Sequence, residues 1–194
     1  THERLLHRQR EYLFVGGMPE AVLTYQETSS FQSVLPVHRS IVQTYQDDFS
    51  KHAGPSDRHR MLVVLNQLPK VIGKKVVYSK LSPGDRSHKI KRAIDMLGQT
   101  RIITKTIHTD ASGLPLKSGI NEKFFKLFFV DIGLFNYLSG LQWEHISKLQ
   151  ERELVNEGAL AEQFIAQHLA YRHQGLEVPD LYYWLREEKT QNAE

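Results

Sequence analysis

The sequence predicts an α+β fold in which helices come first, a β-hairpin follows them, and a further helix and strand come last. Three observations predict this class. Apolar residues recur at helical spacing before residue 98, their period changes to two between residues 102 and 130, and helical spacing returns after residue 150. The chain has 194 residues, 40% of them hydrophobic and 24% charged, which suits one large domain or two small ones.

The first third of the chain is predicted to be helical. Three helices are expected there, over residues 5–11, 19–25 and 36–51. The pair Gly16–Gly17 separates the first two helices and is predicted to form a structural turn. No Lys or Ser/Thr follows these glycines, although a phosphate-binding loop would require them.

The middle third predicts three helices and a two-stranded hairpin. The helices are expected over residues 56–68, 79–81 and 87–97. A short extended piece is expected at residues 74–78. Residues 102–108 and 124–130 have the composition of strands and are joined by a loop. This order of helices, strand, loop and strand is typical of a winged helix.

Positive charge is concentrated in the middle third. Residues 58–105 contain twelve Lys or Arg and two acids and so carry +10, although the whole chain carries only +3. Residues 151–194 carry −5, from four basic and nine acidic side chains. Such an asymmetry is the electrostatic footprint of a module that binds nucleic acid. The acidic end is a second candidate partner for the basic segment, in another copy of the chain, so a homo-oligomer is an alternative expectation.

The helix over residues 87–97 is the predicted contact with DNA. A helix that enters the major groove needs an exposed cationic face opposite an apolar one, and DNA phosphates attract Lys and Arg. The predicted DNA-binding residues are Lys74, Lys75, Lys80, His88, Lys89, Lys91 and Arg92. The hypothesis requires that Lys89, Lys91 and Arg92 stand clear of the molecule and of its carboxylates. A protein-binding use of the same face, or a merely solvated face, remains the alternative.

A long helix and a strand are predicted in the last quarter of the chain. The helix is expected over residues 151–171 and the strand over 181–186, with Trp184 in the core. The apolar residues of the helix predict its buried side, formed by Leu154, Ala161, Phe164, Ile165, His168 and Leu169. Glu157 and Glu162 lie about 140° apart on a helix, so they are not expected to act as a carboxylate pair. A further strand is expected to begin at residue 192.

Missing residue types exclude several functions. The chain has no Cys, which excludes disulfides and thiolate metal sites, and its ten His residues lack the spacing of metal ligands. It contains no GxxxxGK[ST], GxGxxG or GxSxG sequence. It also lacks a signal-peptide core and any run of roughly 18 apolar residues. We therefore expect a cytoplasmic protein that contacts no membrane and has no cofactor or catalytic site in this chain.

Four stretches together resemble a large group of predicted bacterial and archaeal AAA-type ATPases. The sequence YLFVGGMPEAV at residues 12–22 resembles the segment that follows their ATPase core. Residues 125–134, 157–164 and 182–184 resemble their uncharacterised C-terminal domain. The ordered set covers nearly the whole chain.

This resemblance implies an architecture. A P-loop ATPase module would precede Thr1, and residues 1–55 would form a helical connection. A winged helix would occupy residues 56–139, and residues 140–194 would belong to an incomplete restriction-endonuclease-like α/β domain. ATP and Mg²⁺ are thereby implied for the full-length parent protein, whose ATPase module would be a partner of this chain.

The resemblance also assigns a possible nuclease remnant. In the endonuclease-like fold a helix Glu, a strand Asp and a Glu/Asp-x-Lys pair hold a divalent metal, and Glu162 matches the helix Glu. The Asp and the Lys are expected beyond Glu194. Because one carboxylate cannot hold a catalytic metal ion, we expect this chain to be inactive as a nuclease. Metal-dependent cleavage by the full-length parent remains an alternative.

Overall fold

The computed structural model describes residues 2–148, 158–172 and 180–184, and it has an α+β architecture. The first helices are α1 (His2–Val15), α2 (Pro19–Thr28), α3 (Phe31–His52), α4 (Pro55–Val71), α5 (Tyr78–Leu81) and α6 (Ser87–Gln99). A hairpin of β1 (Ile103–Thr109) and β2 (Ile120–Phe129) follows. The remaining elements are α7 (Ile132–Ser139), α8 (Trp143–Lys148), α9 (Gly158–Tyr171) and β3 (Tyr182–Tyr183).

The three predicted N-terminal helices are present but longer than expected. The apolar run at residues 12–15 is the last turn of α1, where Leu13, Phe14 and Val15 are buried. Helix α3 begins before Pro36, because the Ser30 side chain accepts a hydrogen bond from the Ser33 N–H and caps the helix at an earlier turn.

Helices α4 and α6 bury the apolar stripes that the sequence predicts. The stripe of α4 consists of Met61, Val64, Leu65 and Leu68, and that of α6 of Ile90, Ala93, Ile94 and Leu97. The sequence predicts that Pro69 and Gly73 mark the end of α4 and that Gly98 ends α6. Helix α4 instead continues through Pro69 to Val71, shortly before Gly73 (φ 74°), and α6 continues through Gly98 to Gln99, shortly before Arg101 (φ 59°).

The hairpin is part of a small mixed sheet. Strands β1 and β2 are antiparallel, with Ile103 opposite Phe129 and an irregularity after Ile107. Strand β2 begins at Ile120, four residues earlier than predicted. On the other edge of β1, β3 pairs in parallel. Val76, which precedes α5, forms an antiparallel bridge with Phe125, in which its N–H donates to the Phe125 carbonyl oxygen at 2.8 Å.

A buried carboxylate joins the N-terminal helices to the end of the hairpin. Asp131 caps α7 by accepting from the N–H groups of Gly133 and Leu134. It also accepts from the Gly17 N–H at 2.7 Å. A side chain at Gly16 would overlap the same carboxylate, and Gly16 has a φ of +75°. The Gly16–Gly17 pair therefore forms a structural turn, as predicted.

The buried side of α9 differs from the predicted one. Its buried residues are Leu160, Gln163, Ala166 and Gln167, whereas the predicted core residues Ile165, His168 and Leu169 are exposed. The Gln163 amide explains this rotation, because it accepts from the Phe129 N–H at 2.8 Å and donates to the Phe129 carbonyl at 2.9 Å. Because buried backbone groups need hydrogen-bond partners, the side of α9 that carries Gln163 packs against β2.

The predicted core position of Trp184 is also wrong, since its side chain is 61% exposed and lies just beyond the two-residue strand β3. Leu154, Glu157 and the predicted strand at residues 192–194 lie outside the described residues.

Candidate nucleic-acid interface

Helix α6 has two chemically different faces. Ile90, Ala93, Ile94 and Leu97 are at most 1% exposed and face the core of the molecule. His88, Lys89, Lys91 and Arg92 lie on the other side and are exposed to solvent. The helix is held by burial of aliphatic side chains, which leaves its polar face free to contact other molecules.

Of the three cations on which the hypothesis depends, Lys91 and Arg92 are paired with carboxylates of neighbouring elements, and Lys89, in the described part of the chain, is not. Lys91 Nζ lies 3.3 Å from Glu122 on β2, and Arg92 Nε lies 3.1 Å from Asp57 in the first turn of α4. The expectation that these side chains stand clear of carboxylates is therefore wrong for Lys91 and Arg92. Lys89 takes part in no side-chain hydrogen bond or ion pair within the described residues.

These pairs lie at the surface. The side chains of Lys91 and Arg92 remain 46% and 69% exposed. The hydrogen bond from Lys91 to Glu122 raises the pKa of the ammonium group above its ordinary value. Both side chains of the Lys91–Glu122 pair are exposed, and such pairs contribute about 1 kcal/mol or less, so a phosphate can replace Glu122 at small cost. Asp57 is only 23% exposed and also lies 3.7 Å from Arg60, so its pair with Arg92 is less open to replacement.

The other predicted residues lie on α5 or on the segment between α4 and α5. Lys80 is exposed on α5, which packs against α6. Lys74 is exposed and donates to the Lys70 carbonyl at 3.1 Å. Lys75 is half-buried, with its ammonium 3.7 Å from the centre of the Phe124 ring. Lys75 is thus held against the hairpin by a cation–π contact.

Two further exposed cations lie close in sequence to residues of this surface. Arg86 is at the N-cap position of α6, and Lys123 on β2 follows Glu122 in the chain. Arg86 belongs to the basic segment over residues 58–105 and directly precedes the predicted helix. These two features could have identified it as a candidate DNA-binding residue from the sequence. Lys123 had no such signal, because strand β2 was predicted to begin only at residue 124.

Some cations of the basic segment are partly or largely buried and bond within the fold. Lys105 on β1 is half-buried and donates to the Tyr78 hydroxyl at 2.7 Å, and burial lowers the pKa of its amine. Arg60 is only 13% exposed and donates to Asp85 at 2.8 Å. These two cations therefore stabilise contacts between elements of the fold.

Glu162 pairs with an ammonium group. Its carboxylate lies 2.6 Å from Lys126 Nζ, a side chain on β2 that is mostly buried. Among the residues that the structure describes, no three His, Asp or Glu side chains come together as metal ligands do. Within those residues the partner of the Glu162 carboxylate is the Lys126 ammonium group.

The fold and this surface define an α+β protein with a basic helix-and-hairpin face. A family described as a domain of unknown function, DUF8612, matches residues 6–145, and the chain belongs to this family. The match begins in α1 and ends in α8, so it includes both the N-terminal helices and the hairpin. No curated protein and no solved structure matches the chain. None of the described helices is long and apolar enough to cross a membrane.

Proposed function

We propose that residues 56–139 form a winged helix that binds duplex DNA without catalysis. The observation that carries this proposal is the division of α6 into a fully buried aliphatic face and an exposed face with His88, Lys89, Lys91 and Arg92. Of the three cations that the hypothesis requires to stand clear of carboxylates, Lys89 alone does so within the described residues, and Lys91 and Arg92 contribute only when a ligand displaces Glu122 and Asp57. An exposed cationic helix on a rigid support is what the major groove accommodates.

The order of elements supports the winged helix. Helix α4 is followed by the bridge residue Val76, then by α5 and α6, and then by the hairpin. The bridge between Val76 and Phe125 adds one residue pair to the edge of β2, on the side away from β3. In this arrangement α6 is the recognition helix and the hairpin is the wing.

Electrostatics supports DNA as the partner. Lys89, Arg86 and Lys80 are exposed on α6, directly before it, and on α5, which packs against it. Lys91 and Arg92 add to them when phosphates replace Glu122 and Asp57. Each phosphate that a cation neutralises releases counterions, which favours binding at low salt.

The wider setting rests on the resemblance to AAA-type ATPases. We place this winged helix in the C-terminal part of such an ATP-binding protein, with the helical segment over residues 1–55 as its connection to the ATPase module. Residues 140–194 are assigned to an endonuclease-like domain. The tight Gly16–Gly17 turn on Asp131 supports a fixed connection, because it fastens the N-terminal helices to α7.

The test is DNA binding by a variant that lacks two cations of α6. Lys89→Ala/Arg92→Ala should weaken binding to any duplex and reduce the slope of log affinity against log salt by about two, because two phosphate contacts are lost. Fluorescence anisotropy over a series of salt concentrations measures both quantities.

The matched control is Arg4→Ala/Arg39→Ala, which removes two exposed cations from α1 and α3. Its affinity and salt slope should equal those of the wild type. Equal binding by the wild type and the α6 variant contradicts the proposal.

A second candidate function is a protein-interaction module for the parent ATPase. An open, largely apolar groove of about 300 Å³ lies between α9 and the sheet, lined in part by Ile165, Leu169 and Leu181. This alternative predicts no shift of any duplex at near-physiological salt. It also predicts that Ile165→Glu releases the ATPase module in a pull-down, while Lys89→Ala does not.

A further inference from the structure

The groove between α9 and the sheet has polar groups at its floor as well as apolar walls. Its volume of about 300 Å³ is at the lower end of the range for sites that bind small molecules. Ile165 and Leu169 are among its apolar lining residues. Its polar groups come from Thr106, Lys126 and Glu162, and they determine which ligand the groove can hold.

Thr106 and Lys126 lie side by side on the floor of the groove. They are directly opposite each other in the antiparallel pair of β1 and β2. Side chains of opposite residues project to the same face of a sheet, with their Cβ atoms about 5 Å apart. A hydroxyl group and an ammonium group are therefore adjacent and can donate to one anionic group.

The Thr106 hydroxyl group has no hydrogen-bond partner within the described residues. The residue is 5% exposed and is one of those that line the groove. Rotation about χ1 exchanges the positions of its hydroxyl and methyl groups, so the hydroxyl can face an occupant of the groove. Because a buried hydroxyl without a partner costs free energy, an occupant that accepts a hydrogen bond there is favoured.

Lys126 and Glu162 present one charge of each sign to the same groove. Lys126 Nζ donates to Glu162 Oε2 at 2.6 Å, and the Tyr183 ring lies 5.2 Å from the same ammonium group. An ammonium group has three N–H donors and a carboxylate has two acceptor oxygens. Within the described residues the pair uses one N–H and one oxygen, so each partner can form a further hydrogen bond.

These polar groups disfavour simple ions and purely apolar molecules. A carboxylate without an amine meets the like charge of Glu162, and an amine without a carboxylate meets that of Lys126. An apolar molecule leaves the Thr106 hydroxyl without an acceptor. A zwitterion with an apolar tail pairs with both charges, supplies the acceptor and covers the apolar walls.

We propose that the groove binds a free amino acid with an aliphatic side chain. The carboxylate of the ligand accepts from Lys126 Nζ and Thr106 Oγ1, and its ammonium group donates to Glu162. The aliphatic side chain packs against Ile165 and Leu169. The Lys126–Glu162 pair stays intact, because the ligand uses the N–H and the oxygen that the pair leaves over.

This site is independent of the proposed DNA contact. Helix α6 faces the residues of β1 that alternate with Thr106, since Ile94 of α6 lines a separate cavity together with Ile103 and Ile107. The groove and α6 are therefore on opposite faces of the sheet, and either proposal can fail without the other.

Isothermal titration calorimetry with L-leucine tests the proposal. Wild-type protein should bind one leucine per chain. Isocaproate lacks the ammonium group and isoamylamine lacks the carboxylate, and each should bind about tenfold more weakly or worse, because a charge-assisted hydrogen bond is lost and a like charge is met. Glycine lacks the apolar side chain and should also bind more weakly.

Thr106→Val tests the floor of the groove. Valine has nearly the shape of threonine, so the substitution removes only the hydroxyl group and should weaken leucine binding about tenfold. Stability in urea should stay the same or rise, because the fold loses no hydrogen bond. Thr104→Val is the matched control, since Thr104 also lies on β1 but lines a different cavity, and its affinity for leucine should equal that of the wild type.

Glu162→Gln separates recognition of a zwitterion from a general effect on the groove. It should weaken leucine binding about tenfold, because the ammonium group of the ligand loses its charged partner. It should also bind isocaproate more tightly than the wild type does, because the repulsion of the ligand carboxylate is removed. A variant that had lost its fold would bind neither ligand.

Three results would overturn the proposal. They are no saturable binding of leucine to the wild type at millimolar concentration, equal binding of leucine and isocaproate, and wild-type affinity for leucine in Thr106→Val. The first result, combined with release of the ATPase module by Ile165→Glu, would assign the groove to a protein partner.

Discussion

Helices α6 and α9 pack against neighbouring strands of one hairpin, but different forces hold them in place. Helix α6 buries four aliphatic side chains and turns cations outward. Helix α9 buries Gln163 and Gln167 and turns Ile165 and Leu169 outward. The first is held by the hydrophobic effect and the second to a large extent by amide hydrogen bonds, so their outer faces carry opposite chemistry.

The largest loss of stability is expected from a substitution that leaves a cavity between α6 and the core. Leu97 is completely buried, and Leu97→Ala should lower the free energy of unfolding by about 3 kcal/mol, since the lost methyl groups leave a space that neighbours fill only partly. Urea denaturation measures this change. Lys89→Ala on the outer face of the same helix is the control and should leave stability within about 0.5 kcal/mol. A loss below about 1 kcal/mol for Leu97→Ala would mean that α6 is not held by its apolar stripe.

A smaller but specific effect is expected in α9. Gln163→Leu keeps the volume of the side chain but leaves both the N–H and the carbonyl of Phe129 without their amide partner, which should cost about 2 kcal/mol. Gln167→Leu removes a single hydrogen bond to the Tyr12 hydroxyl and should cost about 1 kcal/mol. The reverse order in urea denaturation would contradict hydrogen bonding as the force that orients α9.

The same contrast explains what the sequence could predict. The stripe of α6 follows from apolar spacing, because burial there depends on hydrophobicity alone. Apolar spacing gave the wrong face for α9, because the partner of Gln163 is a backbone group more than thirty residues away, at Phe129. Local patterns also predicted the hairpin and the turn at Gly16–Gly17, where neighbouring residues decide the conformation.

The ion pairs of the candidate site could not be predicted from the sequence, because they also join residues that are far apart in the chain. Lys91 and Glu122 are 31 residues apart in the chain, and only the packing of α6 beside the hairpin brings them together. Sequence charge counts treat all cations alike, although Lys105 and Arg60 bond within the fold and Lys89 faces solvent. The position of a charge on the folded surface, and its partner there, determine what it can bind.

The smallest effect concerns the ion pairs between β2 and the two helices. Each helix has one Lys–Glu pair, the exposed Lys91–Glu122 at α6 and the part-buried Lys126–Glu162 at α9. If α6 contacts phosphates, Glu122 competes with them for Lys91. Glu122→Gln should then raise duplex affinity about threefold and steepen its salt dependence, because one more cation is available. Glu162→Gln changes the net charge equally but lies at α9, and it should leave affinity within experimental error. Equal gains in both variants, measured by fluorescence anisotropy at one salt concentration, would show that net charge rather than the α6 face governs binding.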